Sequence, residues 1–568
     1  MIQTGSFSKK RSRILYLLPL GFVILAFRLV YIQIIKHDHY DNLALKQHRY
    51  TKPITSQRGT IYDRNKKILA TSYRSKSLVA YPNLFKDISE VENFIKEVSP
   101  IIEIDSAKII KRIKKSKKFA WIKRKLTPLQ ASRIKDRVSK IKGLGFEEEW
   151  SRFYPTNAMS SASIGIVGIE HQGLTGLELF YNKLLKGVDG KKEVVQAIRG
   201  KTISEKIIQS PITGHDLHLS LDINIQTFLF SALKNSYLNH KPISCSGVVM
   251  DVKTGEILAI ATIPAHKPGD KIKTKLDGLH LDSVKTVFEP GSTMKPIIYA
   301  AALEKKLIKP TDLIHCGNGA ERIGGRTLHD VHHYGNLTAE EVIIKSSNIG
   351  AAKMGKKLGN ARMYETLIRM GFGLKSDLPF KGESKGLLQP YRKWTKFSTA
   401  SIPMGHEIGI TMIQMVRAYA AIGNGGHLLQ PLVDKKVINS EGIVVKHKNS
   451  MSLNRVFSAS TCEKTIQALE QVVQRGTAKR AKSKFYRIAG KTGTTEKLVN
   501  GKYVKDKNIG SFVALAPATE PRLVVMIMAD EPEGVSYGGT VAAPYVKEVI
   551  ENSLKYMNVP PDNIEEPI

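Results

Sequence analysis

The sequence predicts a membrane-anchored chain with two domains of mixed helix and strand (α+β or α/β), the second built on an antiparallel sheet flanked by helices. Three observations support this prediction: a length of 568 residues, one apolar run near the N-terminus, and strand-like and helix-like segments that follow one another after residue 50. The length is too great for one ordinary domain. The 42% apolar and 24% charged residues are globular values, which excludes wholesale disorder.

The apolar run covers residues 14–35 and as a helix would span about 33 Å, enough for one bilayer crossing. Lys9, Lys10, Arg11 and Arg13 precede it, so the positive-inside rule places the N-terminus in the cytoplasm. The run ends without the small residues of a signal-peptide cleavage site, which favours an uncleaved anchor over a cleaved leader. We therefore expect residues 1–13 in the cytoplasm, an anchor over 14–35, and the remaining chain outside.

The net charge of +36 is concentrated in one stretch, because Lys108 to Lys142 contains 15 basic residues and a single acidic one, Asp136. The simplest interpretation is the solvated face of a helix-rich segment. The alternative is a patch that faces anionic lipid or an anionic polymer. No zinc-finger spacing, RNA-recognition signature or basic-zipper heptad is present, so nucleic acid is not an expected partner.

The second predicted domain begins with two strands, Cys245–Val252 and Glu256–Thr262, joined by a turn that contains Gly255. Later apolar runs predict further strands, and 3.6-residue patterns predict helices. The strands are predicted at Tyr486–Thr495, Gly510–Ala516 and Leu523–Ala529, and the helices at Ser292–Leu303, Thr338–Met354, Thr411–Ile422 and Val546–Tyr556.

Three short motifs occur in order within this domain: S-x-x-K at Ser292–Lys295, S-x-N at Ser346–Asn348, and K-T-G-T at Lys491–Thr494. A single S-x-x-K is weak evidence, because the chain has others that start at Ser139 and Ser231. The ordered set, with each motif in a helix or strand of the expected kind, is much stronger evidence.

The first motif places a serine nucleophile beside a base. A serine hydroxyl needs a base to take its proton, and residues three apart on a helix share a face, so Lys295 can reach Ser292. Burial and a second cation such as Lys491 would lower the pKa of Lys295 into a useful range. Ser292 opens its helix, where free N–H groups favour negative charge, and the N–H groups of Ser292 and Thr494 would form an oxyanion hole.

The other two motifs supply polar groups for a substrate. Ser346 can relay a proton to a leaving amine, and Asn348 carries both a donor and an acceptor for an amide. Strand alternation places Thr492 and Thr494 on one face, on either side of Gly493, where two hydroxyls could hold a carboxylate.

A metal site is not expected. His406-Glu407 begins like a zinc-protease motif, but the residue four positions after His406 is Ile410 rather than a second histidine.

The three motifs resemble those of class B penicillin-binding proteins, which are peptidoglycan D,D-transpeptidases, and the chain is similar to the cell-division (FtsI-type) branch. The resemblance covers most of the chain. Pedestal-like segments are Arg58–Arg64, Arg152–Pro155 and Gly173–Glu178, and transpeptidase-like segments are Asp251–Ala259, Thr411–Met415, Gly476–Ala478 and Gly538–Pro544.

This resemblance implies a domain organisation and a reaction. It implies a non-catalytic pedestal (dimerisation-like) domain over 36–211, a transpeptidase domain of the serine β-lactamase/penicillin-binding fold over 212–556, and a tail over 557–568. Ser292 would attack the D-Ala-D-Ala carbonyl of a stem peptide, release D-Ala, and pass the acyl group to the amine of a neighbouring stem. β-Lactams would acylate the same serine, and no metal or organic cofactor is implied.

The resemblance also implies partners and a location. The expected partners are peptidoglycan stem peptides, lipid II-derived glycan strands, a membrane glycosyltransferase of the SEDS type and other division proteins. The expected location is the bacterial plasma (inner) membrane, crossed once, with the catalytic domain in the periplasm.

Several alternatives remain open at this point. An elongation-type class B transpeptidase, a D,D-carboxypeptidase and a β-lactam-binding sensor share the motifs, and a structural division protein would depend on its pedestal more than on catalysis. A bifunctional enzyme would need a glycosyltransferase domain that residues 36–240 do not suggest, and a β-lactamase would be about half as long.

Two segments depart from the pattern that the resemblance leads us to expect. Thr495-Glu496 follows K-T-G-T where many relatives have a small residue and Gln, and Met404–Glu407 replaces a more usual Gly-Tyr/His-Gly segment. Both segments are expected near the substrate cleft, on the acceptor side.

Overall fold

The computed structural model describes residues 19–196, 202–267, 281–499 and 501–563. The chain divides into two compact units. The smaller unit comes from the segments Met1–Gln57 and Gly187–Thr213, and the larger from Arg58–Lys186 and Gly214–Ile568.

The smaller unit contains helix and a three-stranded antiparallel sheet. A helix covers 19–30, a π-helical turn follows at Tyr31–Ile35, and a second helix covers His37–His48. The strands of the sheet, in spatial order, are Arg49–Ile54, Gly190–Gln196 and Thr202–Gln209.

The predicted anchor over 14–35 lies within the described residues only from residue 19 onward. In that described part of the chain, no helix combines the length and the apolar character that a membrane crossing needs.

The larger unit is organised around a five-stranded antiparallel sheet, here called the central sheet. Its strands, in spatial order, are Ile257–Ile263, Ser244–Asp251, Leu523–Asp530, Lys502–Ala516 and Ala489–Val499. All five correspond to strands expected from the sequence, and the turn between the first two contains Gly255 at a φ of +74°. The predicted antiparallel sheet is therefore confirmed.

Both faces of the central sheet are covered by helices, because successive side chains of a strand point to opposite faces. Val248 and Met250 belong to a core cluster with the helix Met412–Gly423. Val249, between them, belongs to a second cluster with the helices Ile223–His240 and Ala543–Tyr556. This three-layer arrangement agrees with the expected sheet flanked by helices.

A seven-stranded sheet joins segments from both predicted domains. Six strands follow one another in the order Val444–His447, Asp434–Ile438, Asp216–Leu219, Ile61–Tyr62, Ile68–Ala80 and Ala120–Leu126, and Leu144–Phe153 also pairs with Ile68–Ala80. Asp216–Leu219 pairs in parallel with Ile61–Tyr62 and antiparallel with Asp434–Ile438. The domain limits at 35/36, 211/212 and 556/557 stay predictions.

The basic stretch lies in a helical layer with its own core. The helices Ile88–Ile102, Ser106–Lys115 and Pro128–Lys140 bury apolar side chains, among them Ile109 and Ile134, in a cluster separate from the two of the central sheet. Most of the basic side chains of this layer are exposed or half-buried. The stretch is thus the polar side of a packed helical layer, which is the simplest interpretation of the sequence.

The remaining elements are helices and hairpins around the central sheet. The longer helices are Lys295–Glu304, Ala339–Lys345, Asn348–Leu358, Asn360–Arg369 and Ala459–Gln474. Short helices cover Ser161–Ile164, Gly176–Phe180, Asn182–Lys186, Asp282–Lys285, Ser398–Ser401 and Gly538–Val541. The hairpin strands are Leu313–His315 with Asn336–Thr338, Ala320–Ile323 with Arg326–His329, and His427–Leu429 with Ser452–Arg455.

A buried ion cluster ties together the three pedestal-like motifs. Arg58 Nε donates to Glu178 Oε2 at 2.6 Å, and Arg152 Nε donates to Glu178 Oε1 at 2.7 Å. All three side chains are at most 1% exposed. Arg58 also donates to the backbone carbonyl oxygens of His171 and Glu178. One carboxylate therefore balances two guanidinium groups inside the protein.

We predict that Glu178→Ala destabilises the larger unit by about 3–5 kcal/mol, because it leaves two buried guanidinium groups without their carboxylate. The measurement is the free energy of unfolding in denaturant. Glu365→Ala is the control, since Glu365 pairs with Arg369 at the surface, and it should cost roughly 0–1 kcal/mol. Equal losses for the two variants would contradict a special role for the buried cluster.

Candidate active site

The serine of the first motif lies at the start of its helix, as predicted. Ser292 is in a 3-10 turn, Gly291–Met294, that continues into the helix Lys295–Glu304. Gly291 has a φ of +56°, and a Cβ at this position would lie 2.4 Å from Thr495 Cγ2. The turn thus needs a glycine so that the serine can approach the K-T-G-T strand.

The amino groups of the two motif lysines converge on one serine. Lys295 Nζ donates to Ser346 O at 2.5 Å, to Ser346 Oγ at 3.2 Å and to Asn348 Oδ1 at 2.7 Å. Lys491 Nζ donates to Ser346 Oγ at 2.9 Å. Both lysine side chains are fully buried. The structure therefore brings the three motifs into one hydrogen-bonded cluster, in which Lys491 and Ser346 alone are 145 positions apart in sequence.

Ser346 lies at a break between two helices where the sequence predicted a single helix over 338–354. Ala339–Lys345 ends at Ser346, which has a left-handed conformation with a φ of +61°, and Asn348–Leu358 begins two residues later. The single-helix prediction was wrong because Ser346 and Ser347 end one helix and cap the next. The break turns both the carbonyl and the hydroxyl of Ser346 toward the lysines.

The K-T-G-T motif lies on the strand Ala489–Val499, at one edge of the central sheet. Among the described residues, no strand pairs with its outer edge. A Cβ at Gly493 would lie 2.5 Å from Ser511 Oγ and 3.0 Å from Pro290 O. Gly493 therefore lets the serine turn approach this strand closely.

The hydroxyls of Thr492 and Thr494 both contact segments that the resemblance had singled out. Thr492 Oγ1 lies 2.8 Å from Thr477 Oγ1, and Gly538 N donates to Thr494 Oγ1 at 3.2 Å. A Cβ at Gly539 would lie 2.7 Å from Thr477 O, so these two segments are neighbours. This agrees with the prediction that both threonines share one face of the strand.

One predicted contact, that between Ser292 and Lys295, is not present as a hydrogen bond. In the described part of the chain, no hydrogen bond joins Ser292 Oγ to Lys295 Nζ. Catalytic hydrogen bonds often tighten only when substrate is bound. The oxyanion hole formed by the N–H groups of Ser292 and Thr494 stays a prediction.

The two segments that depart from the expected pattern meet at Glu289, a residue that the sequence analysis did not select. Thr495 Oγ1 donates to Glu289 O at 3.1 Å, and His406 Nδ1 lies 2.8 Å from Glu289 Oε2. Tyr503 OH and the backbone N–H of Glu407 donate to the same carboxylate. Both departing segments therefore contact one residue, which lies three positions before Ser292.

Comparison with known proteins identifies the family. The model of the penicillin-binding protein transpeptidase domain matches residues 245–551, and that of the penicillin-binding protein dimerisation domain matches residues 53–219. The chain belongs to the penicillin-binding protein family of transpeptidases.

Relatives of this transpeptidase extend over nearly the whole chain. The peptidoglycan D,D-transpeptidase FtsI of Escherichia coli K12 is 30% identical over 96% of this chain and 91% of its own length. Stage V sporulation protein D of Bacillus subtilis is 31% identical over 97% and 86%. A structure of penicillin-binding protein 3 from Mycobacterium tuberculosis with ampicillin has a TM-score of 0.71 and 26% identity over 91% of this chain and 98% of its own.

Burial sets the protonation of the two lysines. It lowers the pKa of Lys295 to about 7, while the negative charge of Asp330 acts in the opposite direction. Burial, and then the positive charge of Lys295, lower the pKa of Lys491 well below its ordinary value. The prediction that burial lowers the pKa of Lys295 is thus confirmed. The repulsion between the two lysines, however, lowers the pKa of Lys491 rather than that of Lys295.

We predict that Lys295→Met becomes more stable relative to the wild type as the pH falls from 10 to 7, by on the order of 1–4 kcal/mol. In this window Lys295 is neutral in the folded protein and charged in the unfolded chain. The lysine therefore destabilises the fold most below about pH 7 and not above its ordinary pKa of 10.5.

The measurement is the free energy of unfolding at several pH values. Lys305→Met is the matched control, because Lys305 is exposed at the end of the same helix and its variant should differ from the wild type by a constant amount. A pH-independent difference for Lys295→Met would contradict the argument.

Proposed function

We propose that this transpeptidase cross-links peptidoglycan stem peptides through an acyl-enzyme on Ser292. The observation that carries the proposal is the convergence of Lys295 and Lys491 on Ser346 beside the serine turn. The similarity to FtsI of Escherichia coli, a peptidoglycan D,D-transpeptidase, supports the same substrate class.

In the first step the neutral amine of Lys295 takes the proton of Ser292 Oγ as this oxygen attacks the carbonyl carbon of the D-Ala-D-Ala bond. The carbonyl oxygen becomes negative and is stabilised by the N–H groups at the start of the serine turn. The C–N bond then breaks, and the leaving D-Ala amine receives a proton relayed through Ser346. The products are free D-Ala and an ester on Ser292.

In the second step an amine of a neighbouring stem peptide attacks that ester. Its proton returns through the Ser346 and lysine cluster to Ser292 Oγ as the C–O bond breaks, which forms the cross-link and restores the enzyme. Water in place of the amine would give hydrolysis, which is the D,D-carboxypeptidase alternative. β-Lactams would acylate the same serine, because attack on the lactam carbonyl breaks the ring C–N bond and leaves the opened ring as an ester on Ser292, and the ampicillin complex of the mycobacterial relative supports this by analogy.

The biological setting of the proposal is septal cell-wall synthesis in a bacterium. The FtsI relatives and the resemblance to the cell-division branch support this setting. The alternative is another class B role, including elongation, because the chain is also similar to a sporulation protein and to transpeptidases named PenA. In this setting, the expected partners are a membrane glycosyltransferase of the SEDS type and other division proteins.

We predict that Ser292→Ala abolishes labelling by a fluorescent penicillin, because the variant lacks the oxygen that forms the ester. With lipid-linked nascent peptidoglycan as substrate, the wild type should give cross-linked dimers and free D-Ala, and Ser292→Ala should give neither. Free D-Ala without dimers from the wild type would favour the carboxypeptidase.

Ser231→Ala is the matched control, because Ser231 begins another S-x-x-K on a helix and is exposed. It should be labelled as fast as the wild type. Labelling that persists in Ser292→Ala, or is lost in Ser231→Ala, would contradict the assignment.

We also predict that the N-terminal segment stays attached as an anchor over 14–35 and that the catalytic part faces the periplasm. The basic residues before the apolar run and the missing cleavage site support this proposal. N-terminal sequencing of the mature protein from the membrane fraction should begin near Met1. A mature N-terminus near residue 36 would contradict it.

A further inference from the structure

Asp330 is an acidic residue that none of the three motifs contains, yet its carboxylate binds the S-x-N segment. It follows the hairpin strand Arg326–His329. Asp330 Oδ2 accepts a hydrogen bond from Ser347 Oγ at 2.6 Å, and Oδ1 accepts from Ile349 N at 3.2 Å and from Asn348 N. The carboxylate thus satisfies free N–H groups in the first turn of the helix Asn348–Leu358, where negative charge is favoured.

The same strand end also holds the side chain of Asn348. Asn348 Nδ2 donates to His329 O at 2.8 Å, which leaves Oδ1 to accept from Lys295 Nζ at 2.7 Å. Ser347 Oγ, besides donating to Asp330, accepts from Gly350 N at 2.9 Å as the helix cap. His329 and Asp330 therefore fix the orientation of the Asn348 side-chain amide, whose oxygen accepts the hydrogen bond from Lys295.

The charge of Asp330 matters because the acceptors that the two buried lysines bind are neutral. These acceptors are the carbonyl and hydroxyl of Ser346, the amide oxygen of Asn348 and the carbonyl of Thr492. Asp330 is the carboxylate whose field acts on Lys295, and it favours the charged form of that lysine.

The titratable groups around this cluster come from several elements. Lys491 faces Lys295 from the K-T-G-T strand. Tyr334 and Cys316 lie in the field of Asp330, and burial raises the pKa of both, so both are neutral near pH 7. Lys353 and Glu321 pair with each other at 2.7 Å.

We propose that Asp330 is a positioning residue for the lysine pair: it fixes the Ser346–Asn348 turn that accepts their hydrogen bonds and supplies negative charge beside Lys295. The proposal rests on the proposed function, in which Lys295 is the base for Ser292. It assigns two separable effects to one carboxylate, of which the first is geometric and the second is electrostatic.

Asp330→Asn separates the two effects, because the amide oxygen can still accept from the helix N–H groups while the charge is lost. In the full chain labelled with ¹³C at the lysine ε carbons, with the Lys295 signal assigned through Lys295→Arg, we expect the titration midpoint of Lys295 to fall by about 0.5–1 pH unit. The low-pH limb of the penicillin acylation rate should move by the same amount. Asp330→Ser, which keeps a capping oxygen without charge, serves the same purpose if the Asn variant does not fold.

Asp330→Ala removes both effects and should lower the acylation rate at least about tenfold at every pH, because the turn is no longer held. Asp222→Asn is the matched control: Asp222 caps the helix Ile223–His240 in the same way, and its variant should leave the Lys295 midpoint and the acylation profile unchanged.

An unchanged or raised Lys295 midpoint in Asp330→Asn would overturn the electrostatic part, and an Asp330→Ala variant acylated as fast as the wild type would overturn the geometric part. The titration of Lys295 does not require activity. A wild type that titrates near pH 7 but is not acylated would therefore contradict the proposed function and not the role of Asp330.

Discussion

The site depends on the burial of two lysine amino groups against a single serine. A buried lysine without a carboxylate partner is expensive to ionise, so the cluster lowers the proton affinity of Lys295 and Lys491 as a consequence of folding. The helix break at Ser346, the glycine at position 493 and the tight serine turn all let three separate elements approach closely enough to exclude water from this cluster. Burial of these amines costs stability, and it leaves Lys295 with a pKa of about 7.

The surrounding fold holds this cluster in place. The central sheet places the K-T-G-T motif on an edge strand, and its alternating side chains bind one helical layer on each face. The ion cluster of Arg58, Arg152 and Glu178 joins the pedestal-like segments, which are far apart in sequence, through a few buried polar contacts. The lysine cluster joins the three motifs of the site in the same way. In both places the polar groups fix a geometry that apolar packing alone would leave less specific.

The strands of the central sheet and the start of the serine helix could be predicted from the sequence because both depend on local patterns. An apolar run such as Leu523–Asp530 predicts a strand, and a turn glycine such as Gly255 predicts a turn, without reference to distant residues. The break at Ser346 could not be predicted, because the residues around it have an unbroken helical pattern and the break is stabilised by Asp330 and two distant lysines. Glu289 was missed for a related reason: its partners His406 and Tyr503 are more than 100 residues away in sequence.

The pairing of Asp216–Leu219 has a consequence for the order in which the larger unit can fold. One edge of this strand pairs with Ile61–Tyr62, which is synthesised before it. The other edge pairs with Asp434–Ile438, which is synthesised more than 200 residues later. The nearby contact between Ser220 and Leu432 spans 212 positions. Until that later segment arrives, the growing sheet has an open edge on which another chain could add a strand. The seven-stranded sheet is therefore complete only after residues 434–438 have emerged, and its open edge is exposed to intermolecular strand addition in the interval before that.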